Sequence, residues 1–164
     1  MTPVEWAMRP LKKYAQFSGR APRAEYWWFN LFLMIGYVVA MLVDRLIGSK
    51  VLGPYGLFAG LLWLAVIVPT IAVGVRRLHD TNRTGWWMLG PIIPYLVGFV
   101  LILPTMKNPE NPPALASAGG AGILMLVGMI MAIVIFIFTV LPGTKGTNKY
   151  GADPYGADVE QVFA

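Results

Sequence analysis

The stretch "VLGPYGLFAGLLWLAVIVPTIAVGV", residues 51–75, contains no lysine, arginine, aspartate or glutamate. About 20 mainly apolar residues suffice for a helix to cross the hydrocarbon core of a bilayer. A water-soluble helix of this length would show a charged stripe every three or four residues. A barrel strand would be about half as long and would alternate polar with apolar. The stretch therefore reads as a membrane-spanning helix. Three more have the same character: "YWWFNLFLMIGYVVAMLV" (26–43), "WWMLGPIIPYLVGFVLILP" (86–104) and "AGILMLVGMIMAIVIFIFTVL" (121–141).

The composition agrees. Hydrophobic residues make up 57% of the 164 positions and charged residues 13%, against about 25% charged in soluble domains. The predicted fold class is all-α, a polytopic membrane helix bundle of about four transmembrane helices with an interfacial N-terminal helix. Three regions follow: an interfacial segment (1–25), a transmembrane domain (26–141) and a Gly/Asp-rich tail (142–164). The mixed segment before the first span and the length of that span argue against a cleavable signal peptide.

Orientation follows from lysine and arginine. Arg9, Lys12, Lys13, Arg20, Arg23, Arg76, Arg77, Arg83, Lys145 and Lys149 fall on one side of a four-span chain; Arg45, Lys50 and Lys107 fall on the other. That bias puts both termini and the loop after the second span in the cytoplasm. In "PVEWAMRPLKKYAQF", Val4, Met8, Leu11 and Tyr14 share one helical face, although Pro10 interrupts it. Pro69 predicts a kink late in the second span, and Pro91 and Pro94 a disturbed start to the third. "GLFAG" (56–60) offers a GxxxG packing face. "TMKNPENPPALASAGG" (105–120) reads as an irregular loop, and Asp44 as a local partner of Arg45.

Three constellations stand out. "RRLHDTNRTGWW" (76–87) sets three arginines beside the only histidine, then two tryptophans. Arginine forks suit phosphate. His79 titrates near neutrality, with Asp80 placed to orient it. "FSGRAPRAEYWW" (17–28) repeats the pattern of basic residues, a small turn and a Trp pair. The two entrances either form independent belts or face each other as one basic collar of Arg20, Arg23, Arg76, Arg77 and Arg83, with His79 and Asp80, that binds anionic lipid or a partner protein. Glu25 would pair with Arg76, Arg77 or Arg83. Trp27, Trp28, Trp86 and Trp87 suit the headgroup layer as interfacial anchors. "LPGTKGTNKYGADP" (141–154) lacks P-loop spacing and reads as a turn-rich exit that folds under the loop. It begins a doubled "YGAD".

These features bound function. With no cysteine and one histidine, no zinc site, other metal site or cofactor is expected. No catalytic residue is assigned. The net charge of +5 sits beside apolar runs, which points to anionic headgroups rather than nucleic acid. No acidic residue lies at mid-membrane, which argues against ion-coupled transport. The leading reading is a non-enzymatic membrane protein whose partners are anionic lipids, a membrane protein or a second copy of itself. A small transporter or channel subunit is the alternative, and a lipid-modifying enzyme using His79 and Asp80 comes third.

The three constellations, in this order, resemble the YhaH-like small bacterial inner-membrane proteins, domain-of-unknown-function family 805. The resemblance covers residues 11–104 and 141–154. It implies a bacterial cytoplasmic-membrane location and brings no activity. Relative to that pattern, residues 105–140 read as an extra segment between the "GWW" span and the tail. Either the third run is a re-entrant hairpin, or the chain has gained a span.

Overall fold

The computed structural model describes residues 1–48, 56–107 and 115–156, with 105, 106 and 115–117 as backbone only. Among the described residues the chain is helical: α1 (Pro3–Lys12), α2 (Arg23–Ile47), α3 (Leu57–Asp80), α4 (Leu89–Lys107) and α5 (Leu115–Val140), with a 3-10 turn at Gly85–Met88. The residues carrying the "VLGPY" start of the second apolar run, Lys50 and the second "YGAD" lie wholly or partly outside the described set. Four helical stretches are long and apolar enough to cross a membrane: Arg23–Ile47, Leu57–Asp80, Gly85–Pro104 and Ala118–Val140. The chain divides into two units: residues 1–83 with 142–164, and Thr84–Leu141.

In the first unit α1 forms despite Pro10 because its start is well satisfied. The Thr2 side chain accepts the Glu5 N–H, the Glu5 carboxylate accepts the Thr2 N–H, and a proline opens the helix, a capping box. Against the rest of the unit α1 buries Ala7 and Pro10, while Val4 and Tyr14 are exposed. Leu11 does pack on a core of Ala21, Phe29, Leu33, Val66 and Val73. Tyr14 lies past the helix end and has another task. Pro69 has no N–H, so the Ala65 carbonyl one turn earlier loses its helical donor. The Tyr14 hydroxyl donates to that carbonyl at 2.6 Å, and Thr70 Oγ1 donates to the Val66 carbonyl at 2.7 Å. In an apolar medium such compensation is what makes a proline tolerable inside a span.

α2 and α3 run antiparallel. Their far ends are joined by Asp44, whose carboxylate accepts the Phe58 and Ala59 N–H groups at 3.0 and 2.9 Å. This corrects the expected local pair with Arg45. The first N–H groups of α3 have no partners within the helix and a helix N-terminus attracts a carboxylate, so the charge is used between helices. Gly56 is therefore not on a GxxxG packing face. It is the residue before α3, with φ +73°, and a Cβ there would fall inside the Asp44 carboxylate.

The second unit is an antiparallel hairpin. α4 is continuous over 19 residues, about 28 Å at 1.5 Å per residue, and so is one long helix rather than a re-entrant pair. It packs on α5 through glycines. A Cβ on Gly128 would meet the Tyr95 ring at 3.2 Å and the Pro91 carbonyl at 3.3 Å; one on Gly98 would meet the Ala121 carbonyl at 3.3 Å. Small residues of this kind allow close backbone approach in lipid. Of the loop expected at 105–120, residues 105–107 belong to α4 and 115–120 to α5, while 108–114 lie outside the described set.

Gly48 and Gly56 both have a positive φ, Gly48 with ψ 22° and Gly56 with ψ 176°; Gly56 is in addition crowded by Asp44. Gly56→Ala is therefore expected to lower the melting temperature in detergent well beyond Gly48→Ala. Equal losses would mean that neither the Asp44 contact nor the backbone conformation of Gly56 contributes.

Candidate functional site

The stretch "RRLHD" is not a loop. It forms the last turn of α3, and the chain leaves the helix only at Thr81. Adjacent residues on a helix point about 100° apart, so the two arginines serve different partners. Arg76 reaches α2, where its Nη1 lies 2.5 Å from Glu25 Oε1. Glu25 Oε2 also meets Arg9 Nε at 3.4 Å. Arg77 bonds the Asp80 carboxylate one turn on. The other Asp80 oxygen accepts from Arg20 Nε at 2.9 Å. Arg76, Arg77 and Glu25 are fully buried, and Arg20 and Asp80 nearly so.

The same turn shows why the tail belongs here. A helix ends with carbonyls that have no partner within it. At α3 these are satisfied from distant parts of the chain. The Ala21 N–H donates to Arg76 O at 2.9 Å, and the Thr144 N–H to Asp80 O at 2.8 Å. Thr144 Oγ1 donates to Asp80 O at 3.1 Å, and Asn148 Nδ2 to His79 O at 3.0 Å. Arg20 completes the closure by donating to the carbonyls of Gly146 and Thr144, each at 2.5 Å. Gly143 permits the approach, since a Cβ there would collide with the Asp80 carboxylate.

His79 is not oriented by Asp80, which corrects the expected pairing: Asp80 is occupied by Arg20 and Arg77. His79 Nδ1 lies 3.1 Å from the Gly19 carbonyl, so a proton on Nδ1 makes it the donor. The ring stacks on Tyr150 at 3.8 Å between centroids. Burial, reinforced by Arg9, holds the Lys13 amine below the usual lysine range. The tail turn is fastened by Asp153, which accepts the Tyr155 and Gly146 N–H groups. Those bonds hold its carboxyl below the usual range. With the folded value depressed, that contribution is present above the unfolded value and lost as pH falls through the folded one.

The five collar arginines thus divide. Arg20, Arg76 and Arg77 are internal, Arg23 is exposed, and Arg83 is half-buried with Nη1 on the Thr81 carbonyl. Trp27 and Trp28 are partly exposed on the first turns of α2. Trp86 is 76% exposed; it and Trp87 belong to the other unit. Of the three alternatives for Glu25, Arg76 is the partner. Gly143, Thr144, Asn148 and Tyr150 were not singled out from the sequence as site residues; the signal was the Gly/Asn-rich spacing of "PGTKGTNKYG".

A family model described as "Protein of unknown function (DUF805)" matches residues 14–152. The chain belongs to this family. It is 31% identical to the inner membrane protein YhaH of Escherichia coli K12 over 92% of this chain and 97% of that one. It is 30% identical to the inner membrane protein YhaI of the same strain, over 92% and 96%. A third relative, YiiR, is 32% identical over 84% of each chain. No solved structure matches.

Removing one member of a buried ion pair strands the other, at a cost of about 3–5 kcal/mol. Arg20→Gln is expected to release the tail, read as rapid amide exchange over residues 144–153 with exchange in α2 unchanged. Tail protection equal to wild type would mean that Arg20 does not hold it. Gly143→Ala is expected to have the same signature.

Proposed function

We propose that this chain is a non-enzymatic integral protein of the bacterial inner membrane whose cytoplasmic basic rim binds anionic phospholipid headgroups. The observation that carries this reading is the division of its cations. Arg20, Arg76 and Arg77 are consumed by Asp80 and Glu25. Lys12, Lys145 and Lys149 remain exposed on the unit that the buried pairs hold together. Exposed cations beside partly exposed tryptophans suit an anionic headgroup layer. The anion-binding role predicted for the whole collar thus passes to its rim, and the buried arginines act by holding the rim in place.

The inner-membrane location is supported by the relatives YhaH and YhaI, named as inner membrane proteins, and by four helices of spanning length. A cytoplasmic position for both the N-terminal segment and the tail is supported by the lysine and arginine bias. The bonds from Arg20 to Thr144 and Gly146 agree, because they require the two segments to share a side. An enzymatic role for His79 with Asp80 lacks geometric support, since the Asp80 carboxylate faces two arginines.

The chain has no cysteine, so single cysteines report sidedness cleanly. Thr147→Cys is expected to react with an impermeant maleimide in inverted vesicles only, and Arg45→Cys in spheroplasts only. Thr147→Cys labelling in spheroplasts would overturn the assignment. Native mass spectrometry from mild detergent with mixed phosphatidylglycerol and phosphatidylcholine tests the rim. Wild type is expected to retain phosphatidylglycerol preferentially. Replacing Lys12, Lys145 and Lys149 with glutamine should remove that preference without unfolding. The same preference in both proteins would overturn the lipid reading and direct attention to a protein partner.

A further inference from the structure

We infer that the first unit carries a phosphate-monoester site on its α1 side, formed by the Arg9 guanidinium and the Lys13 ammonium beside the buried Arg76–Glu25 pair. The inference goes beyond the rim reading, because it assigns a defined anion to two residues that the rim does not use.

Glu25 is fully buried, and three cations lie within reach of its charge. Its Oε1 accepts from Arg76 Nη1 at 2.5 Å, and its Oε2 meets Arg9 Nε at 3.4 Å. The bond to Arg76 is single, where an arginine and a carboxylate commonly form a two-bond fork. Arg76 is fully buried too, yet its Nε and Nη2 have no hydrogen-bond acceptor. Lys13 is the third cation. Burial, then repulsion from Arg9 and Arg76, works against its charge, and only Glu25 favours it. Its side chain makes no hydrogen bond or ion pair among the described residues. Glu5, the other carboxylate of this segment, accepts the Thr2 N–H. Among the described residues, Arg9, Lys13 and Arg76 thus share one carboxylate. A buried guanidinium with unmet donors is costly, and further positive charge beside it adds to the cost. An anion on Arg9 and Lys13 lowers that cost through its field, without touching Arg76.

Arg9 is held ready for such a partner. Its Nε faces Glu25, and its guanidinium lies over the Trp6 ring, 5.3 Å from the centroid. Its Nη1 meets Met1 Sδ at 3.9 Å, and sulfur is a weak acceptor. The side chain is 29% exposed, so part of the fork is open to the surroundings. Lys13 follows one turn later, its N–H bonded to the Arg9 carbonyl at 3.1 Å, and residues four apart are neighbours on a helix surface. An arginine fork grips phosphate through parallel bonds, and a lysine adds a point charge. A phosphate monoester carries a charge of about −1.5 to −2 near neutral pH, which matches the two cations left over once Glu25 is paired with Arg76. A singly charged phosphodiester matches them less well. Phosphatidic acid and a soluble phosphomonoester present the same group.

The test uses the full chain in mild detergent with equal amounts of phosphatidic acid, phosphatidylglycerol and phosphatidylcholine, read by native mass spectrometry. Inorganic phosphate, titrated calorimetrically into the chain in phosphatidylcholine nanodiscs, separates a soluble source from a lipid one. Wild type is expected to retain phosphatidic acid over phosphatidylglycerol, to bind inorganic phosphate, or both. Lys13→Gln is expected to weaken whichever signal is seen about fivefold, and adding Arg9→Gln about fivefold again. Lys13→Arg is expected to keep it. Lys12→Gln removes an equal charge one residue earlier and is expected to lower both anionic lipids alike. Because the Lys13 side chain bonds to nothing in the fold, Lys13→Gln should stay folded, which circular dichroism checks. Equal retention of phosphatidic acid and phosphatidylglycerol, with no heat from inorganic phosphate, would overturn the site. So would a signal that Lys12→Gln lowers in the same way as Lys13→Gln. In either case the rim reading stands if phosphatidylglycerol is still preferred to phosphatidylcholine. Loss of that preference with the Lys13-dependent signal intact would overturn the rim and leave the site.

Discussion

Three arginines and two carboxylates are buried together where α3 ends, and much of the first unit follows from that fact. Charges removed from water are costly unless each finds an opposite charge and enough hydrogen bonds. Arg76 needs Glu25 on α2, Arg77 and Arg20 need Asp80, and the remaining donors of Arg20 need the carbonyls of Thr144 and Gly146. No local segment provides all of these. The N-terminal segment, the end of α3 and the tail have to come together, although the α4–α5 hairpin separates the tail from the rest along the chain. The unit is discontinuous in sequence because its charges are.

Backbone accounting leads to the same arrangement. Every span must satisfy its polar groups without help from lipid. α3 meets this at three points with partners distant in the sequence. Asp44 caps its start, Tyr14 replaces the donor that Pro69 removes, and Thr144 with Asn148 closes its end. Glycine appears where these partners come closest, at Gly56 against Asp44 and Gly143 against Asp80. A larger side chain at either place would separate the polar group from its partner.

The same economy separates structural cations from those available to a ligand. Arginines inside the cluster are not in contact with the surroundings, so their large number in "RRLHDTNRTGWW" is mostly architectural. Exposed lysines such as Lys12 and Lys145 lie outside that cluster. Function in this reading is carried by position more than by any one side chain.

The spans, their number and the likeness of the two basic entrances were legible in the sequence. They depend on composition over some twenty residues, and hydrophobic transfer is additive along a helix. Glu25 was legible as an arginine partner because a carboxylate at a span entrance needs one. Which arginine it takes was decided by the antiparallel register of α2 on α3. The ends of elements were less legible: α3 runs on through Asp80 because its charges are paired across the fold, and pairing at a distance leaves no local pattern. The roles of Asp44, Tyr14 and Gly143 were hidden for the same reason, each being set by a partner at least 12 positions away. The sequence by itself determined that this chain inserts in a membrane and where its four apolar runs lie. Tertiary structure alone decided which charges are buried and which remain at the surface, because burial depends on what the fold brings beside each residue.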